Sequence, residues 1–131
     1  QLGQDGHRRM SSVIGVGIDL VDVDRFAATI ARRPKLITRL FTDHEIADAA
    51  GRPERLAARF AAKEAALKVM GSGIGAAPFA SIEVRRAESG APSLVLHGRA
   101  AELAERCRIG NWQLSLTHTH RTAGAVALGL S

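Results

Sequence analysis

Glu54-Arg-Leu-Ala-Ala-Arg-Phe-Ala-Ala-Lys-Glu-Ala-Ala-Leu-Lys-Val-Met70 contains neither glycine nor proline, and lies between a Gly51-Arg-Pro53 breaker and Gly71. Alanine has the highest helix propensity, and a glycine just past the last periodic residue suits a left-handed C-terminal cap. The stretch predicts one long helix over 54–70. Within it Leu56, Phe60, Glu64 and Lys68 lie four apart and form one row, so Glu64 interrupts a face that begins as core.

The segments around this helix read mostly as strands. Ser12 to Leu20 reads Ser-Val-Ile-Gly-Val-Gly-Ile-Asp-Leu, a β-branched run whose two glycines let another backbone approach, expected to end near Asp19. Asp22 can cap a helix through Arg25, Phe26 and Ile30, and Pro34 interrupts it before the apolar set Leu36, Ile37, Leu40 and Phe41. Thr42-Asp-His-Glu45 is a capping-box pattern that opens a short helix. Ile82-Glu-Val84 and Leu94-Val-Leu96 flank a Ser89-Gly90-Ala-Pro92 turn, Ala100 to Arg108 reads as a helix, and Trp112–His118 with Ala123–Leu130 makes a second hairpin. Strands and helices without regular βαβ spacing predict an α+β single domain, its largely antiparallel sheet packed against the long central helix.

A chain of 131 residues, 46% hydrophobic, is long enough for one core. Aromatics make up 4% and tyrosine is missing, so Ala, Leu, Val and Ile must fill that core. A formal charge of +5 favours acidic partners without choosing among phosphates, acidic proteins and nucleic acid. Cys107 is the only cysteine, so no intrachain disulfide can form; with no secretory h-region or membrane span in the sequence, the expected compartment is the cytoplasm. Residues 1–9 are polar and precede Met10, and are expected to be an expression remnant or disordered leader to a domain at 10–131.

Asp19, at the end of an apolar strand, and Glu64, on an apolar helix face, are acids that need partners. Asp19 could cap the next helix and Glu64 could pair with Lys68. Alternatively, the two could jointly hold one hard cation through oxygen, and Mg²⁺ suits so sparse a protein ligand set. Lys68 could offset the dipole that repels anions from the Gly71-Ser-Gly73-Ile-Gly75 loop, although a helix stop explains that loop as well. His118 and His120 flank Thr119 after a strand, where an imidazole could meet phosphate or simply end the strand.

Together, Gly15-Val-Gly17-Ile-Asp19-Leu-Val-Asp22-Val-Asp-Arg25-Phe26, Arg59-Phe60-Ala-Ala-Lys63-Glu64-Ala65-Ala-Leu-Lys68 and Leu114-Ser115-Leu-Thr117-His118-Thr119 resemble the holo-acyl-carrier-protein synthases, the small bacterial type of 4′-phosphopantetheinyl transferase. The resemblance spans residues 13 to 130. It implies that family's fold, and transfer of 4′-phosphopantetheine from coenzyme A to a serine of apo acyl carrier protein in support of fatty acid biosynthesis. Asp19 and Glu64 then correspond to Mg²⁺ ligands, and Lys68 to a catalytic phosphate neighbour. Arg59, Lys63, Gly71, Ser72, Gly73, His118 and Thr119 correspond to coenzyme contacts, and Arg25 to a carrier-protein contact. The resemblance also implies a homotrimer with active sites between subunits. Gln113 and Thr122 depart from the histidine and aromatic residue common at those positions.

Two rival functions use the same features. A Mg²⁺-dependent phosphate-ester hydrolase would need the same acids but use water as acceptor. A basic nucleic-acid-binding module is disfavoured, because so few aromatics leave little to stack on bases.

Overall fold

Pro53 opens the long helix at its first turn, where the missing N–H costs nothing, and Gly71 closes it in the left-handed region at φ +66°. The computed structural model describes residues 11–73 and 75–131; the leader expected at 1–9 lies outside the described residues. The elements are β1 (Val13–Asp22), α1 (Val23–Arg32), α2 (Leu36–Leu40), α3 (Asp43–Ala49) and α4 (Pro53–Val69). A 3-10 turn at Phe79–Ser81 is followed by β2 (Ile82–Arg86), β3 (Pro92–Leu96), α5 (Gly98–Arg106), β4 (Asn111–His118) and β5 (Thr122–Leu130). Pairing is antiparallel throughout, in two sheets rather than one: β1-β5-β4 and β2-β3. The first strand extends beyond Asp19 because Leu20, Val21 and Asp22 still pair with Gly124, Ala123 and Thr122.

The caps follow local chemistry. Asp22 caps α1 by accepting from the Arg25 N–H at 2.9 Å. Thr42 and Glu45 form the reciprocal capping box of α3. At the end of α4 the Gly71 N–H reaches the Lys68 carbonyl (3.0 Å) and the Ser72 N–H the Leu67 carbonyl (2.9 Å), the bonding pattern of a Schellman stop.

Helix α4 is buried on most of its circumference, chiefly through alanines, and lies between the three-stranded sheet and the shorter elements. Each buried Leu or Val adds about 1.5–3 kcal/mol, whereas an alanine offers one methyl group, so close approach has to replace bulk. Glycines permit it. A Cβ at Gly17 would lie 2.0 Å from the Ala65 carbonyl oxygen, and one at Gly15 would lie 3.0 Å from that of Val69. All four phenylalanines form one chain of ring contacts that includes Phe60 of the helix: centroids are 6.2 Å apart for Phe26–Phe41, 5.5 Å for Phe26–Phe60 and 5.2 Å for Phe60–Phe79.

The obstacle to a Cβ at Gly17 is helix backbone, which cannot rotate away. Gly17→Ala should therefore cost about 1–3 kcal/mol, the usual range for overpacking, read as a lower midpoint in urea unfolding. An unchanged midpoint would mean that β1 and α4 can separate without penalty.

Candidate active site

Asp19 occupies the half of β1 that faces α4, with its side chain 14% exposed. Four residues after Glu64, in the last helical turn, Lys68 extends its ammonium to Asp19 Oδ1 (3.1 Å) and to the Ile18 carbonyl (2.8 Å). Of the pairings open to Lys68, the one adopted is with Asp19 rather than Glu64. Asp19 does not cap α1, since Asp22 does.

The Glu64 carboxyl lies against that of Asp19. Burial first, and then the Asp19 charge, push Glu64 up to about 7, with Lys68 pulling in the opposite direction. Asp19 Oδ2 is buried and meets no donor among the described residues. An orphaned carboxylate oxygen beside a second acid of raised pKa is a hard-oxygen donor set suited to a divalent cation such as Mg²⁺. Among the described residues no group of three or more His, Cys, Asp or Glu side chains converges, so a cation held by this pair would take its other ligands from water or substrate.

Glu64 also borders an apolar cleft of about 500 Å³, walled by Leu20, Phe26, Ile30, Leu36, Phe60 and Phe79. Arg25 stands on its edge. Beyond it, Arg32, Arg33, Lys35 and Arg39 crowd the turn between α1 and α2, with no acidic side chain lining that hollow.

The coenzyme contacts expected on α4 divide. Lys63 is fully buried, and its ammonium donates to Glu45 Oε1 (2.8 Å), to the Phe79 carbonyl (3.0 Å) and to the Ile82 carbonyl. All three protons are engaged, and Lys63 ties α4 to α3 and β2. Glu45 completes this junction by accepting the Thr42 and Val84 N–H groups, at 2.9 and 2.8 Å. Beside it, burial works to raise the Glu83 carboxyl, but bonds from Thr42, His97 and Arg85 hold it down at about 2. Reading the sequence by rows missed this cluster. Its one visible sign was Glu45 in the capping box.

Arg59 is 2% exposed, with Nη1 on the Arg55 carbonyl (3.0 Å), Nη2 on Asp48 Oδ2 (3.4 Å) and a buried Nε without a partner among the described residues. It lines a cleft of about 350 Å³ with Asp48, Arg55, Arg86 and Glu88; Arg55 stands in the same helical row, whereas sequence spacing did not associate Asp48, Arg86 and Glu88 with it. Gly71, Ser72 and Gly73 form the helix stop and the start of the following loop. His118 and Thr119 are exposed, at the end of β4 and in the turn after it; His118 pairs with Ala123, and Ala123 with Val21, which puts β5 between them and β1. Among the described residues, no hydrogen bond joins either to Asp19 or Glu64.

Residues 15–123 match the model of the 4′-phosphopantetheinyl transferase superfamily. The holo-[acyl-carrier-protein] synthase of Frankia alni is 51% identical over 119 residues, covering 91% of this chain and 95% of its own. The acyl carrier protein synthase structure from Mycobacterium tuberculosis superposes with a TM-score of 0.70 at 37% identity, covering 92% of this chain and 98% of that one. That of the Helicobacter pylori holo-[acyl-carrier-protein] synthase, solved in complex with coenzyme A, gives 0.79 at 28% identity, covering 88% and 99%. With its family model spanning both β1 and α4, and its acids facing each other across their contact, this chain belongs to the 4′-phosphopantetheinyl transferase superfamily.

Proposed function

We propose that the protein transfers 4′-phosphopantetheine from coenzyme A to a serine of apo acyl carrier protein, releasing adenosine 3′,5′-bisphosphate, with Mg²⁺ held by Asp19 and Glu64. The observation that carries this reading is the carboxylate pair, with its orphaned oxygen and adjoining lysine, in a chain of this family. In support of fatty acid biosynthesis, the reaction belongs in the cytoplasm; no helix among the described residues is long and apolar enough to cross a membrane.

The serine hydroxyl attacks the β-phosphate of coenzyme A and adenosine bisphosphate leaves in line. Bound Mg²⁺ would offset charge on the pyrophosphate and on the transferring group. Asp19 and Glu64 would hold and orient that cation from two different elements. Lys68, at the exposed rim, can donate to a phosphoryl oxygen, and its charge stabilises the equatorial oxygens during transfer. Arg59, with Arg55 and Arg86 around it and Asp48 and Glu88 on the same cleft, suits a further anionic group of the coenzyme, whereas the Gly71-Ser72-Gly73 loop follows the opposite, C-terminal end of α4, next to Lys68.

An acidic helical carrier protein fits the surface carrying Arg25, where the apolar cleft adjoins the basic α1–α2 turn. His118 and Thr119 belong to this scheme as contacts to a neighbouring subunit's coenzyme in a homotrimer. Supporting that arrangement is the outer face of β1, where Val16, Ile18 and Leu20 are 60%, 59% and 70% exposed in a row, an apolar patch suited to self-association.

Transfer and hydrolysis separate in one assay. Adenosine bisphosphate should appear only when apo carrier protein accompanies coenzyme A and Mg²⁺; release without the carrier would establish the hydrolase instead. Glu64→Gln, which keeps shape and removes charge, should lower the rate by at least about a hundredfold with little change in melting temperature. Retained Mg²⁺-dependent activity would remove Glu64 from the site.

Glu64 also sets a pH dependence. A carboxyl raised to about 7 stabilises the metal-free fold below its unfolded value near 4.5, and that contribution is lost as pH rises through 7. Cation binding requires the deprotonated form, so affinity should climb to about pH 7 and then level off, with close to one proton released at pH 6 and almost none at pH 8. Calorimetry in two buffers of different ionisation enthalpy measures this. Equal proton release at both pH values would contradict the coupling.

A further inference from the structure

Lys68 makes a bond that a phosphate neighbour alone does not require. Its ammonium is fixed at two points, Asp19 Oδ1 and the Ile18 carbonyl, on the strand across from its own helix. The lysine side chain is 55% exposed and the aspartate only 14%, so the ion pair covers one oxygen of a nearly enclosed carboxylate from the solvent side. The other oxygen, Oδ2, has no donor. Asp19 is thus half-satisfied, and by a cation that can leave.

We infer that Lys68 is a tethered resident cation at the Asp19 pole of the site, and that divalent-cation loading is an exchange in which the ammonium gives up Asp19 and becomes available to an anionic ligand. This goes beyond the transferase reading while resting on its cation site. Three physical features favour the exchange. A lysine holds its charge on a flexible four-carbon stem, so the ammonium can move without disturbing α4. The last helical turn attracts cations to its free carbonyls, which gives the released ammonium a favourable place to stay. A partly exposed pair is worth at most about 1 kcal/mol, little enough for a divalent ion to overcome.

Charge explains what the exchange achieves. In the metal-free protein the ammonium balances Asp19. Once a divalent ion is balanced by both carboxylates, the ammonium is the unmatched charge. The site then attracts an anion more strongly than before loading, so cation precedes phosphate substrate without any hinge or lid.

The chain has three lysines, Lys35, Lys63 and Lys68, which makes the exchange directly readable. Lys35 is exposed and Lys63 fully buried, so they serve as the open and closed references. Amine acylation of the whole protein, followed by peptide mass spectrometry, should find Lys68 slower than Lys35 without metal and at least about threefold faster once Mg²⁺ is added. In Asp19→Asn it should be fast under both conditions. Equilibrium binding of Mn²⁺ without coenzyme should tighten about two- to fivefold in Lys68→Met and Lys68→Gln, the range an exposed ion pair is worth.

Lys68 labelling that Mg²⁺ leaves unchanged, or Mn²⁺ binding that weakens in both Lys68 variants, would overturn the exchange. If Asp19→Asn binds Mn²⁺ as well as the unaltered protein does, the cation site itself is wrong and the exchange fails with it. Loss of binding in Asp19→Asn alongside unchanged Lys68 labelling would reject the exchange alone.

Discussion

The contact between the backbone of β1 at Gly17 and the Ala65 carbonyl of α4 sets the geometry on which the site depends. A core short of aromatics and rich in alanine has little volume with which to hold its layers apart or together. It gains stability by bringing a small-residue helix onto a strand without side chains at the contact points. Two residues beyond Gly17 along the strand is Asp19, and Glu64 immediately precedes Ala65 on the helix. The closeness that packs the core therefore also holds the two carboxyls side by side. Any device that widened the strand–helix gap would separate the acids as it loosened the fold.

Helix α4 carries charge of both signs in the interior, and its two sides handle it differently. Toward α3 and β2, Lys63 and Glu45 satisfy each other and the surrounding backbone, which fixes that junction and leaves the Lys63 ammonium no free donor. Toward β1, Asp19 and Glu64 are left incompletely paired, and the raised Glu64 pKa records the electrostatic cost. Neighbouring residues on one helix thus have opposite fates. The rotation of about 100° between Lys63 and Glu64 is sufficient to separate a structural charge from a reactive one.

Local rules carried much of this into the sequence. The capping box at Thr42, the Asp22 cap, the glycine stop at Gly71 and both hairpins are short-range patterns, and each forms where its residues stand. The carboxylate pair was legible because two acids interrupted apolar runs. What spacing could not supply was partnership over distance. Nothing local distinguishes Lys63, whose partners lie on α3 and β2, from Lys68, whose partner lies on β1. The division into two sheets, and the gathering of four phenylalanines beside the helix, depend on packing of elements that the sequence presents only one at a time. Nor could the sequence place His118 and Thr119, which stand two strands away from β1 within a single chain.

Catalysis of the proposed kind depends on one location, a divalent cation between Asp19 and Glu64. Crystals grown with coenzyme A and Mn²⁺, measured for anomalous scattering, report that location without reference to activity. A single strong peak is expected within coordination distance, about 2.0–2.3 Å, of oxygens from both carboxylates and from the coenzyme pyrophosphate. A peak elsewhere, or coenzyme phosphates bound away from β1 and α4 with both acids unligated, would contradict it.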